Sequence, residues 1–478
     1  MRAAVPLCVA LLAAWVPELR AAAPTKPKNV LFLVADDLNC RIGCYGDTTT
    51  KTPNLDRLAR RGVLFERAYC QFPLCSPSRS SFLTGKRPAT TGITRNPGAA
   101  RTKDSREPTP HFREFLPETV TLPQFFKNRG FHTARVGKLY HYGVPAQIGT
   151  NGLDDDASWS ERINPRGRDK WDEDQIFSMQ PGQYGGTVSW LAAEGTDAEQ
   201  TDALAATAGI EYLERHRAHP FFLAVGFYRP HTPYVAPKSY FALYPSDKVT
   251  LPGLGPDDIA RRPAPAFGSA KAEQDKMTDE QRRQAIQAYQ ASITFMDAQV
   301  GRLLDALDRL KLTDETVVTF TSDHGYHLHD HGLWQKMSLF EDSARVPMIV
   351  AAPGMPANGR ATRALAELVD LYPTLVDLFG HEVPADLEGH SQKPVLTDAA
   401  SRVKEAAYTQ VTRGKFDGHS VRTERYRYTL WGDGSQGEQL HDLQADPDET
   451  TNLATNPELA DIVKTHRKLV KSYARQSR

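Results

Sequence analysis

The sequence predicts an α/β protein, a mostly parallel sheet flanked by helices, with a smaller C-terminal α+β unit. Three observations carry this. Apolar strand-like runs, Val30–Val34, Phe221–Phe227, Val317–Thr321 and Val346–Ala351, alternate with helical patterns, and such alternation gives parallel strands joined by crossover helices. Polar clusters follow three of the runs: Asp36-Asp37, His231 and Asp323-His324. Ligand groups gather past the carboxyl ends of strands in such sheets, so three strand ends aim at one region. From about residue 400 the pattern changes to short alternating runs such as Ser420–Trp431, with turns at Gly432 and Gly434.

Taken in chain order, Arg2, an apolar run Val5–Val16 and the small residues Ala21, Ala22 and Ala23 predict an export signal over 1–23. That run is too short to span a bilayer, so export to a bacterial periplasm or secretion, without membrane association, is expected. No Asn-x-Ser/Thr sequon occurs, which favours a bacterial over a glycosylated lysosomal protein. A Pro/Lys linker at 24–28 precedes the main body, expected over 24–398. Helices are predicted over Asn54–Arg61, Thr121–Arg129 and a long stretch around 281–311. In the last, Ile286, Tyr289, Ile293, Met296, Val300, Leu303 and Leu307 recur every three or four residues as one buried face. Segments 96–113, 143–187 and 252–280 are rich in Pro, Gly and charge, lack periodicity and read as long surface loops. A helix over Glu367–Phe379 still belongs to the main body. The C-terminal unit is expected over 399–478, ending in a helix from Pro457.

Lys plus Arg and Asp plus Glu balance at 58 each. No bulk charge therefore points to nucleic acid or an anionic membrane, and an anionic substrate must be met by a local basic cluster. Once the signal is removed, Cys40, Cys44, Cys70 and Cys75 remain, too few for a disulfide scaffold; a Cys40–Cys44 pair is one possible bridge.

Cys75-Ser76-Pro77-Ser78-Arg79, a helical run to Leu83 and Thr84-Gly85 place a thiol at a helix start. Free backbone N–H groups and the helix dipole favour an anion there. The same pattern also suits a structural Cys ahead of a capped helix. Asp36-Asp37 and Asp323-His324-Gly325 offer hard oxygens, an imidazole and a close-approach glycine, though such pairs also occur in solvated turns. Gly137-Lys138-Leu139-Tyr140-His141 sets a cation three residues from a titratable ring, and Arg229-Pro230-His231 ends an apolar run. On chemistry alone the first stretch reads rather as an exposed Lys with an unrelated His, and His231 has a satisfied loop histidine as its alternative reading. His327, His329 and His331 suggest a second metal site, but pocket or surface roles are the preferred reading.

Cys-x-Pro-Ser-Arg followed by Thr-Gly resembles the signature of the formylglycine-dependent type I sulfatases, most closely the iduronate 2-sulfatase branch. The resemblance implies an alkaline-phosphatase-like sulfatase fold and a hydrolase of sulfate esters on a sulfated carbohydrate, with a 2-O-sulfated uronic acid as the leading candidate. It implies oxidation of Cys75 to formylglycine by a formylglycine-generating or sulfatase-maturating enzyme. In the family the hydrated aldehyde attacks sulfur and its second hydroxyl later expels sulfate; a plain Ser would stop at a stable sulfate ester. The resemblance further implies one Ca2+ held by Asp36, Asp37, Asp323, His324 and residue 75. His324 stands where many relatives have Asn. Lys138 is expected to hold a sulfate oxygen, His141 to act as base, His231 to contact sulfate and protonate the leaving oxygen, and Lys336 to stabilise the bridging oxygen. Arg79 is expected at the nucleophile or its anion. Motifs Pro53-Asn54-Leu55-Asp56, Gln299–Leu304, Val421–Thr429 and Glu438–Leu453 resemble family scaffold. Two other readings remain: a phosphate or phosphonate monoester hydrolase of the same superfamily, and a non-catalytic binder of sulfated glycans.

Overall fold

The computed structural model describes Met1 and residues 26–97, 111–253 and 262–476. Apart from Met1, the export signal expected over 1–23 lies outside the described residues. A nine-stranded sheet forms the centre, with Thr316–Ser322, Asn29–Asp36, Phe221–Pro230, His132–Gly137 and Glu161–Ile163 side by side and parallel. Met348–Ala351 joins antiparallel on the other flank and leads to Val63–Tyr69, which pairs with Arg345–Val346 and Ala361–Glu367. The sheet is therefore mixed but mostly parallel, as expected.

Alternation along one strand shows why both faces are covered. Leu31, Leu33 and Ala35 pack into a core with Leu55 and Leu58, Leu213, and Ile293, Met296 and Val300. Val30, Phe32 and Val34 point the other way, onto Phe82, Leu83, Phe126, Tyr372 and Leu375. All six strand residues are fully buried. At about 1.5–3 kcal/mol per fully buried large apolar side chain, this one strand organises both layers.

The long helix spans Asp279–Arg309 and starts with a capping box: Gln281 N–H donates to Thr278 Oγ1 at 3.2 Å and Thr278 N–H to Gln281 Oε1 at 2.9 Å. Its Asp297 accepts from the Asn54 and Leu55 N–H groups at 3.1 and 2.7 Å, capping the Pro53–Arg61 helix. That explains the Pro53-Asn54-Leu55-Asp56 motif as a helix start placed against another helix. Leu122–Lys127 is likewise started by a Thr121–Gln124 capping box.

Several expectations need correction. The segment 143–187 is not loop throughout, since Glu161–Ile163 is the edge strand of the main sheet and short helices flank it. Short elements escape periodicity arguments because three residues carry no period. Val63–Tyr69 and His132–Gly137 are strands that composition did not reveal; Glu66, Arg67, Arg135 and His132 interrupt their apolar character. Val346–Ala351 is two short strands divided at Pro347, and Ser420–Trp431 is two strands around Thr423–Arg425. Cys40 and Cys44 are free thiols, not a disulfide.

The C-terminal part is a four-stranded antiparallel sheet, Ala407–Arg413, Phe416–Arg422, Tyr426–Trp431 and Glu438–Asp442, covered by the helix Ala460–Gln476. Val463 and Val470 fill its core with Tyr408, Val421, Tyr428 and Leu440. It is tied to the main body by Gln410 N–H to Gln71 O at 2.9 Å and by Glu449 Oε2, which accepts from Glu341 N–H at 2.6 Å. Among the described residues no helix is long and apolar enough to cross a membrane.

Candidate active site

Four neighbouring parallel strands deliver residues to one place at their carboxyl ends. Asn29–Asp36 brings Asp36 and Asp37, Thr316–Ser322 brings Asp323 and His324, His132–Gly137 brings Lys138, and Phe221–Pro230 brings His231. Asp37 adopts a left-handed backbone (φ 68°), which breaks the alternation that would send adjacent carboxylates to opposite faces. The turn is fixed from three sides. Asp37 N–H donates to Asp323 Oδ1 at 3.1 Å, Leu38 N–H to Ser322 Oγ at 2.8 Å, and the Tyr289 hydroxyl to Asp37 O at 2.7 Å. Sequence marks Tyr289 only as part of a buried helix face and does not mark Ser322. Tyr289 sits in the helix's apolar register, and only its hydroxyl reaches the site.

Cys75 opens the Cys75–Thr84 helix, which ends at Gly85 in the left-handed region. Its Sγ lies 3.2 Å from Lys336 Nζ, 3.5 Å from His324 Nε2 and 3.9 Å from Asp37 Oδ1. Lys336 Nζ also reaches Asp37 Oδ1 at 2.6 Å, and Lys138 Nζ is paired with Asp36 Oδ2. His231 Nε2 stands 3.9 Å from Asp37 Oδ2, with its Nδ1 against the Thr232 carbonyl. His141 lies beside Cys75, and its Nδ1 is buried without a hydrogen-bond partner.

Arg79 departs from expectation. Its fork meets neither the thiol nor open space: Nε donates to Asp323 Oδ2 at 2.9 Å, one terminal nitrogen to Asp36 Oδ1 at 3.2 Å, and the other to the Lys138 and Leu139 carbonyls at 2.6 and 3.1 Å. It therefore spans two carboxylates from separate strands and fixes their spacing. Arg79, Asp36, Asp323 and Lys138 are all buried.

The electrostatics follow from burying so many charges together. Burial would raise the Asp36 carboxyl, but Lys138, with His231 and Arg79, holds it well below the usual carboxylate range. Burial pushes Asp323 up to about 7 despite Arg79. Burial opposes charge on His324, yet Asp323 pulls it up to about 9. For Cys75, burial is outweighed by Lys336 and Lys138, and the thiol is held well below its ordinary value. Burial lowers His141, favouring the neutral ring near pH 7.

The donor set fits one divalent cation. One atom each of Asp36, Asp37, Cys75, Asp323 and His324 lie within 4.8 Å of one another. Asp37 Oδ2 is buried with no hydrogen-bond partner, an expensive arrangement unless a cation faces it. His324 Nδ1 is 2.9 Å from Gly325 O and donates to it, so Nε2 is the nitrogen that faces the cluster, where a bound cation would take the place of its proton. Three carboxylates favour a hard ion.

Gly325 shows why the turn after Asp323-His324 needs glycine. A Cβ there would lie 2.1 Å from Asp342 O and 2.6 Å from Arg345 O, both backbone. Gly325→Ala is expected to cost about 1–3 kcal/mol and to reduce activity by displacing His324. Urea melts beside rate measurements test this, and an unchanged midpoint would contradict it.

His327, His329 and His331 are all buried, not on the surface. His327 Nε2 bonds Ser338 Oγ at 2.6 Å, and Arg262 donates to His331 Nδ1 at 2.8 Å.

Comparison with known proteins agrees with this geometry. The "Sulfatase" family model matches residues 28–381, and the "N-sulphoglucosamine sulphohydrolase, C-terminal" model matches 329–476. A sulfatase of Formosa agariphila is 34% identical over 90% of this chain and 83% of its own length. Human iduronate 2-sulfatase is 32% identical over 89% and 88%. The solved phosphonate monoester hydrolase of Agrobacterium radiobacter superposes with a TM-score of 0.77 at 22% identity over 95% and 96% of the two chains, a likeness of fold. The main body and the C-terminal sheet thus match along nearly the whole chain, and the protein belongs to the sulfatase family.

Proposed function

We propose that the protein hydrolyses a sulfate ester on a sulfated carbohydrate, with a 2-O-sulfated uronic acid as the preferred substrate class. The observation that carries this is the position of residue 75: at a helix start, inside a one-cation donor set, with two lysines and two histidines around it. The similarity to human iduronate 2-sulfatase favours the uronic acid.

Asp36, Asp37, Asp323, His324 and residue 75 would hold Ca2+, which supplies a fixed positive charge for a sulfate oxygen and the nucleophile. Formylglycine made from Cys75 by a maturating enzyme would, as its hydrate, supply one hydroxyl to attack sulfur as the sugar alcohol leaves, and a second whose deprotonation expels sulfate and restores the aldehyde. Arg79 holds Asp36 and Asp323 in register. Lys138 and Lys336 neutralise sulfate oxygens, and Lys336, beside Sγ, also faces the bridging oxygen where charge develops. His141, kept neutral by burial, takes a proton from the residue-75 hydroxyl. With Nδ1–H on the Thr232 carbonyl, His231 offers Nε2 to carry a proton to the leaving oxygen. Residues 24–398 and 399–478 are the proposed divisions.

A panel of defined sulfated disaccharides, varied in sulfate position and uronic acid, tests the substrate. Turnover confined to aryl, choline or phosphonate esters would refute the carbohydrate assignment. His141→Ala is expected to lower kcat by about 10²–10⁴-fold and to remove the acidic limb of the rate profile; an unaltered limb would exclude His141 as base. Because burial lowers its pKa, that limb lies below the ordinary histidine value, with activity lost as pH falls and the ring protonates.

A further inference from the structure

Away from the cluster at Cys75, a second set of metal-type donors meets at the opposite edge of the sheet. His132 opens the His132–Gly137 strand, Glu161 opens the edge strand Glu161–Ile163, and His216 closes the Thr201–His216 helix. His132 lies at the amino end of the strand whose carboxyl end brings Lys138 to the active site, one strand length away, about 20 Å. One donor atom each of His132, Glu161 and His216 lie within 4.8 Å of one another, and all three residues are half-buried.

The neighbours leave each donor free. Tyr212 OH donates to the His132 carbonyl at 2.9 Å, which uses its one proton. The same oxygen lies 2.9 Å from His132 Nδ1; with the hydroxyl proton on the carbonyl, that nitrogen donates and Nε2 keeps its lone pair. This is the arrangement that orients a ligating imidazole through its far nitrogen. Arg215 binds Glu161 Oε1 at 2.8 Å and leaves Oε2, 3.9 Å from His216 Nε2. That separation is too long for a hydrogen bond and suits two ligands of one ion. The imidazoles stack at 4.1 Å and 16°. Burial and His132 together lower His216.

We propose that His132 Nε2, Glu161 Oε2 and His216 form a binding site for a zinc-type divalent ion that clasps the edge strand to its neighbour and to the helix. Two imidazoles and one carboxylate select a borderline ion over calcium. A fourth position is open to water or to exposed His219, whose N–H donates to His216 O at 3.0 Å across the following turn. The clasp is structural, since it lies at the far edge of the sheet from residue 75. An edge strand of three residues has few ladder hydrogen bonds of its own and gains from such a tie.

The test is calorimetric titration of ZnCl2 into the full-length protein saturated with calcium, with thermal melts alongside. One saturable equivalent is expected, with a rise in Tm that further Ca2+ does not reproduce. His216→Gln and Glu161→Gln should each abolish that equivalent, while Tyr212→Phe, which releases the His132 tautomer, should weaken it by about 10-fold or more. Sulfate ester turnover should stay unchanged in all three, which separates failure of this site from failure of the proposed activity. Absence of saturable Zn2+ binding, or binding undiminished in both glutamine variants, overturns the proposal.

Discussion

Cys75→Ala is expected to reduce sulfate ester turnover by roughly 10⁴-fold or more while leaving the fold intact. The side chain at this position projects into the cluster, touching Lys336, His324 and Asp37. The helix it opens does not depend on it: Phe82 and Leu83 anchor that helix in the core, and Gly85 closes it. Cys75→Ser provides a sharper outcome. A single hydroxyl can attack sulfur, but no second oxygen on the same carbon remains to release the product. The variant should therefore stop after one event, with sulfate retained on residue 75 and visible in intact mass spectra. Multiple turnover by either variant within tenfold of the parent would remove residue 75 from the chemistry. Peptide mass spectra of the active parent should show an aldehyde or its hydrate in place of the thiol.

Glu367→Gln is expected to destabilise the protein by about 3–5 kcal/mol, the cost of breaking a buried charge network by removing one partner. Glu367 is fully enclosed and takes both terminal nitrogens of Arg87 at 2.7 and 2.9 Å, Lys404 Nζ at 2.7 Å and Tyr408 N–H at 3.0 Å. Lys404 also meets Asp370 at 2.7 Å. These contacts join the segment after the Cys75 helix, the end of the Ala361–Glu367 strand and the first strand of the C-terminal sheet. The amide in the variant keeps shape but leaves two buried cations with only Asp370 between them. Burial opposes ionisation of Glu367, yet Arg87 and Lys404 hold it well below the ordinary value of 4.5. A lowered carboxylate stabilises the fold fully above that value and loses its contribution as pH falls below it. The parent should therefore lose stability on acidification more steeply than the variant. Urea melts at neutral and acid pH measure both effects; a loss under about 1 kcal/mol at neutral pH would show that the network contributes little.

Much of the site was legible because its residues fall in short contiguous motifs after apolar runs. Asp36-Asp37, Cys75 through Arg79, Lys138 with His141, His231, Asp323-His324 and Lys336 come together in the structure. What escaped was anything whose partner is distant and whose own neighbourhood looks ordinary. Arg79 was expected at the anion, but its direction is set by carboxylates 43 and 244 residues away. Tyr289 reads as one more apolar residue, yet its hydroxyl holds the Asp37 turn. His132, Glu161 and His216 lie in three separate elements, and nothing local marks them.

By itself the sequence determined the layered α/β plan, because buried parallel strands must be apolar runs and flanking helices must carry one apolar face. It also carried the family resemblance, since Cys75 through Arg79 with Thr84-Gly85 form one contiguous motif. Only the tertiary structure decided strand order, the edge strand inside an apparent loop, the two free thiols at Cys40 and Cys44, and which charges meet. Those outcomes depend on contacts between segments hundreds of residues apart, and a side chain's partner there is fixed by packing and by the cost of burying a charge alone, neither of which leaves a local signature.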